Sequence, residues 1–147
     1  MSAYLYRLAK PRDLGALTVL LDEKRLWLED NGHSPDDVPD TQTIMRYVDM
    51  LRVYVTVCPE TDAPRIASCA LVNISEGMAF LTYLMSDIKG CGAAMLSFVE
   101  TALSEEGYEK LYVTSPEEIQ PYFLEHGYNT DGILLSKELD ASDEEVV

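Results

Sequence analysis

Residues 86–96 read SDIKGCGAAML, two glycines set between a β-rich run and an apolar helical pattern. Such a loop either turns the backbone tightly or opens its amides to an anion. At the start of a helix the first N–H groups lack intrahelical partners, and the macrodipole adds partial positive charge there. Gly90 and Gly92 carry no side chain that would keep a phosphate from those amides, and Lys89 adds a formal charge. The stretch has neither the Lys-Ser/Thr ending of a P-loop nor the three-glycine spacing of a dinucleotide site, so another anionic ligand is needed.

Upstream of the loop, AYLYRLA (3–9) alternates as an opening strand. Pro11 and the Arg12–Asp13 pair then precede Leu14, Leu17, Leu21 and Leu28 at near-helical spacing, which predicts a first helix ending near Gly32 with Trp27 on its edge. NGHSPDDVPD (31–40) reads as a loop, and Ile44, Tyr47, Val48 and Leu51 share one face of a short second helix. RVYVTVC (52–58) and IASCALVNI (66–74) form a hairpin, and GMAFLTYLM (77–85) makes a third antiparallel strand that runs into the glycine loop.

Downstream, Met95, Leu96, Val99, Ala102 and Leu103 mark the buried face of a helix that Gly107 stops. KLYVTS (110–115) is a short buried strand. Ser115, Pro116 and Glu118 then form the start signal of a helix that stops at Gly127, and ILLSKEL (133–139) is a final, exposed strand able to pair two subunits. The order is β-α-α-β-β-β-α-β-α-β without an internal repeat, a mixed α/β (α+β) fold with residues 1–139 as one domain and 140–147 as an acidic, disordered tail.

The 147 residues carry 26 acidic against 11 basic side chains, a net charge of -15, which repels nucleic acid and anionic membranes and suits a cationic partner. No run approaches the roughly 20 apolar residues of a membrane span and no signal peptide is evident, so the expected location is the cytoplasm. Cys58, Cys69 and Cys91 lack paired metal-ligand spacing; no metal is expected, and Cys58 and Cys69 belong to apolar runs as core thiols.

The element order, with DIKGCG at 87–92 and YFLEHGY at 122–128, resembles the GNAT acetyltransferase superfamily over roughly residues 3–139. That family carries Arg/Gln-x-x-Gly-x-Gly/Ala at the first place and a Phe-Tyr-Glu-Lys-Leu-Gly-Phe type segment at the second. The resemblance implies a mostly antiparallel sheet of six to seven strands with about four helices. It also implies acetyl-CoA, or another acyl-CoA, with its pyrophosphate on the amides of Ile88, Lys89, Gly90, Cys91, Gly92 and Ala93. Its pantetheine arm would lie along Tyr83, Leu84 and Met85, with Phe123 beside it. The implied activity is acetyl transfer to a primary amine of a small cationic molecule, polyamine-like or aminoglycoside-like, or of a peptide lysine. The amine attacks the thioester directly, without an acyl-enzyme.

That chemistry needs a deprotonated amine, a stabilised oxyanion and a proton for the leaving thiolate. Aligning glycine on glycine puts Phe123 where the family's tyrosine gives that proton, with Tyr122 one residue earlier as the candidate acid. Asp87 takes the place of the family's Arg or Gln, a carboxylate near the expected pyrophosphate. Glu29, Asp30 and His33 lie beside the first helix–helix connection, the region that shapes the acceptor site in the family. His126, in the last turn of its helix, is explained by the dipole. The rival reading is a GNAT-shaped binding protein that uses CoA, if at all, as a ligand.

Overall fold

A computed structural model describes residues 4–36, 38–58, 65–86, 91–114, 120–131 and 134–139. Its strands form one seven-stranded sheet in the order β1-β2-β3-β4-β5-β7-β6, built from β1 (Leu5–Leu8), β2 (Val53–Cys58), β3 (Arg65–Ser75), β4 (Met78–Ser86), β5 (Lys110–Thr114), β6 (Asn129–Asp131) and β7 (Leu134–Glu138). The helices are α1 (Leu14–Asp30), α2 (Thr41–Asp49), α3 (Cys91–Glu106) and α4 (Gln120–Glu125), with a 3-10 turn at Pro11–Asp13. β4 and β5 pair in parallel, from Ala79↔Leu111 to Leu81↔Val113, whereas β1–β2, β2–β3, β5–β7 and β6–β7 are antiparallel. Among the described residues no helix is long and apolar enough to cross a membrane.

Cα packing divides the chain into two compact units, residues 1–71 with 83–96, and residues 72–82 with 97–147. In the first, the apolar stripe of α1 (Leu17, Leu20, Leu21) and that of α2 (Ile44, Val48) share a core with Val53, Val55 and Val57 of β2 and Met85 of β4. Asp40 caps α2, its Oδ1 accepting from Thr43 N–H at 2.8 Å. The Arg7 guanidinium grips Asp13 with two bonds, 2.7 and 3.1 Å, and Lys10 N–H donates to the same carboxylate at 2.7 Å, tying β1 to the entry of α1. Burial alone would raise the Asp13 carboxyl. The hydrogen bonds from Arg7 and Lys10, with the charges of Arg7 and Arg12, outweigh that and hold it below the usual range.

β2 and β3 are buried on both faces, so each reads as a near-continuous apolar run with two polar intruders, Thr56 and Ser68. These two face each other in the ladder, and Ser68 Oγ donates to Thr56 Oγ1 at 2.5 Å, satisfying both groups where water cannot reach. Cys58 and Cys69 are free, buried thiols as their runs imply, and burial pushes the Cys69 thiol up to about 12.

In the second unit Val99 and Leu103 of α3, Leu111 and Val113 of β5, Phe123 of α4, Tyr128 and Leu135 are buried. α3 and α4 end alike. Tyr108 N–H reaches Leu103 O at 3.1 Å past Gly107, and Tyr128 N–H reaches Phe123 O at 3.1 Å past Gly127. Both glycines have positive φ, 101° and 93°, the left-handed turn that lets these bonds close.

The sequence reading needs two corrections here. Leu51 does not join the buried face of α2: it lies beyond the helix at φ 60°, 60% exposed, in the left-handed turn that ends α2. The final strand is not a free edge either. The short β6, absent from the expected order, pairs with β7 on one side while β5 holds the other, so the sheet edges are β1 and β6. Three-residue β6 is too short for periodicity to reveal.

Candidate functional site

In the first unit β4 ends at Ser86 and α3 begins at Cys91, after four intervening residues, with Met85 buried in the core and Tyr83 packed against that core. Tyr83 and Leu84 are half-buried, as are Gly92 and Ala93 in the first turn of α3. This first turn carries small residues at the end where N–H groups lack intrahelical partners. Asp87, Ile88, Lys89 and Gly90 lie outside the described residues, as does the Cys91 side chain.

Glu29 and Asp30 end α1 and His33 follows in the turn, all three exposed. His33 N–H caps the helix at Leu28 O, 2.8 Å away, and its ring stacks on Trp27 with centroids 6.2 Å apart and planes 12° from parallel. Lys24 Nζ sits 5.1 Å from the centre of the same indole.

In the second unit a polar cluster closes around the end of α4. Glu100 of α3 accepts from Tyr128 Oη at 2.8 Å and from Lys137 Nζ at 3.0 Å, and Lys137 also donates to His126 O at 2.9 Å. The His126 Nδ1 lies 2.7 Å from Tyr122 O; a carbonyl only accepts, so Nδ1 carries the proton. The His126 ring also rests on that of Tyr122 with centroids 4.5 Å apart. Tyr122 is half-buried, whereas Phe123 is buried edge-to-face against Tyr128. Burial, then the Glu100 charge, pushes both the Tyr122 and Tyr128 phenols up, and the hydrogen bond to Glu100 raises Tyr128 further.

Sequence reasoning missed Glu100, Tyr128 and Lys137. A signal existed: Glu100 stands between Leu96 and Leu103 on the apolar stripe of α3, and an acid there requires partners. Among the described residues no three His, Cys, Asp or Glu side chains gather as a metal site.

Neither a family sequence profile nor a curated protein matches the chain by sequence. Solved structures do match in shape. A GNAT-family acetyltransferase from Listeria monocytogenes superposes with TM-score 0.77 at 19% identity, covering 92% of this chain and 95% of its own. A PaiA N-acetyltransferase from Thermoplasma acidophilum, solved with coenzyme A, gives TM-score 0.72 at 14% identity over 92% of this chain and 99% of its own. The Escherichia coli ribosomal-protein-S18-alanine N-acetyltransferase gives TM-score 0.70 at 12% identity over 93% and 94%. The chain has the GNAT fold. The resemblance carried by the glycine loop and YFLEHGY is thereby borne out for the architecture, including the mostly antiparallel sheet and the four helices. Tyr122 and Phe123 are neighbours of opposite character, one half-buried and polar, the other in the core.

Proposed function

We propose that this protein is an acetyl-CoA-dependent N-acetyltransferase acting on a primary amine of a cationic small molecule or a peptide. The observation that carries the reading is the GNAT fold across 92% of the chain, with α3 opening on small residues just after β4. The donor's pyrophosphate would lie on the amides from Ile88 to Ala93, and its pantetheine along Tyr83, Leu84 and Met85. At helix starts this is ordinary anion chemistry.

The amine nitrogen forms a bond to the thioester carbonyl carbon and the C–S bond breaks. The amine attacks in its neutral form, the ammonium proton having passed to solvent; on attack one further proton goes to water or a carboxylate, and one reaches the departing sulfur. Tyr122 is our assignment for the proton to sulfur, supported by a phenol kept neutral by burial and by the Glu100 charge. Glu29, Asp30 and His33 are assigned to the acceptor; two carboxylates favour an ammonium over a neutral amine. A second reading, a GNAT-shaped binding protein that uses CoA, if at all, as a ligand, is favoured by the residue that the glycine-on-glycine alignment sets at the family's tyrosine position: Phe123 is only 5% exposed and has no hydroxyl.

Calorimetric titration with acetyl-CoA and with CoA tests the reading. Micromolar binding, about −8 kcal/mol, that is lost in Gly92→Glu supports the site, and release of free thiol with polyamines or lysine peptides then separates enzyme from binder. No heat and no thermal stabilisation at millimolar ligand would sink the acetyltransferase reading and leave a GNAT-shaped binding protein, whose partner a pull-down would seek.

A further inference from the structure

The outer side of α1 is not the polar face that an amphipathic surface helix normally presents. Val19 and Leu26, seven residues apart and so on one stripe, are 57% and 60% exposed, and Trp27 beside them is 54% exposed. The charges within one turn of this stripe are mainly acidic: Glu23, Glu29 and Asp30 are exposed, and among the described residues no salt bridge engages them. Of the two cations of the helix, Arg25 is drawn off this face and Lys24 lies at its edge. Lys24 lies over the Trp27 ring, and Arg25 is bound to Asp22 and to the carbonyl of Pro39.

We propose that this face of α1 docks a basic amphipathic segment of a protein partner. Apolar side chains of the segment would cover Val19, Leu26 and Trp27, and its lysines or arginines would meet Glu23, Glu29 and Asp30. Charge selects this occupant. A second copy of this chain would bring the same acidic rim, on a molecule of net charge -15, against itself. The inference shares Glu29 and Asp30 with the acceptor assignment above, whereas Val19, Glu23, Leu26 and Trp27 belong to it alone, and its test reads binding without activity.

Trp27 is the sole tryptophan, so its fluorescence reports on this face alone. The probe is a synthetic helical peptide of lysine and leucine, with leucines three and four residues apart and no aromatic residue. Saturable blue-shifted emission is expected, with a Kd on the order of 10 µM that weakens with salt. Val19→Ser with Leu26→Ser should raise Kd at least tenfold. Neutralising Glu23 and Glu29 to Gln should weaken binding more than the same change at Glu105 and Glu109. Because Val19 and Leu26 are more than half exposed, the double variant should keep its melting temperature; should it not, a peptide with glutamine for leucine puts the same question to the native chain. Equal affinity for the leucine and glutamine peptides, equal effects of the two charge pairs, or no emission change would each overturn the proposal. So would peptide-free self-association that shifts the Trp27 emission.

Discussion

Replacing Gly127 by alanine should cost distinctly more than the same change at Gly107, although both glycines close a helix in the same way. Each sits at positive φ, 93° and 101°, where a Cβ adds about 1–2 kcal/mol of backbone strain. The surroundings differ. A Cβ on Gly107 would meet nothing within 4 Å, whereas one on Gly127 would lie 3.2 Å from Lys137 Cε and 3.4 Å from its Nζ. Lys137 can yield only by loosening its bonds to Glu100 Oε1 at 3.0 Å and His126 O at 2.9 Å. These are charge-assisted bonds at a partly exposed pair, so their weakening adds about 1 kcal/mol. We expect about 1.5 kcal/mol for Gly107→Ala and about 2.5 for Gly127→Ala, a difference of some 2–4 °C in Tm for a chain of this size. Urea unfolding of both variants, alone and combined with Lys137→Ala, measures it. In the Lys137→Ala background the excess at Gly127 should vanish, a coupling of about 1 kcal/mol. Equal costs at the two glycines, or an excess that survives loss of Lys137, would refute the reasoning.

Asp13→Asn should destabilise by about 2–3 kcal/mol at pH 7, since it leaves Arg7 half-paired in a partly buried place. Because folding lowers the Asp13 pKa, its contribution is complete above about pH 4 and fades as pH falls through the folded value. Denaturation curves of the native chain and the Asp13→Asn variant should therefore converge in acid, and a constant gap down to about pH 2 would contradict this. Thr56→Val alone should cost about 1–2 kcal/mol by stranding the buried Ser68 hydroxyl, while adding Ser68→Ala should recover most of it, as read by chemical denaturation. If acetyl transfer is confirmed, Tyr122→Phe should lower kcat roughly 100-fold with little change in the acetyl-CoA KM. The raised phenol pKa also places any alkaline fall in kcat that belongs to Tyr122 above about pH 10. An unchanged kcat would remove Tyr122 from the mechanism.

Most of the elements were legible because their signals are local. The stripe of Met95, Leu96, Val99 and Leu103 and the stop at Gly107 both follow from a helix of about 3.6 residues per turn, and all four side chains are buried. Leu51 misled for the same reason. It keeps the helical spacing of Ile44, Tyr47 and Val48, but the helix has already ended, and only the backbone turn decides where the side chain goes. An acid at Glu100 on the apolar stripe was legible, but its partners Tyr128 and Lys137 were not, because they lie up to 37 positions away and strand order, not periodicity, brings them to it. The start of α4 at Ser115–Glu118 and the loop at 87–90 lie outside the described residues, so the candidate site rests there on sequence.

The Thr56–Ser68 pair has a consequence for how β2 and β3 find each other. Their neighbours are almost all interchangeable apolar residues, and the ladder also shifts by one residue between Thr56 and Val57. Hydrophobic content alone would therefore tolerate several alignments of the two strands. Any alignment other than the native one would strand both hydroxyls in a dry interior at about 1–3 kcal/mol each. The two hydroxyls thus work as a key: they add little to the finished sheet, but they make every wrong pairing during folding expensive enough to come apart again.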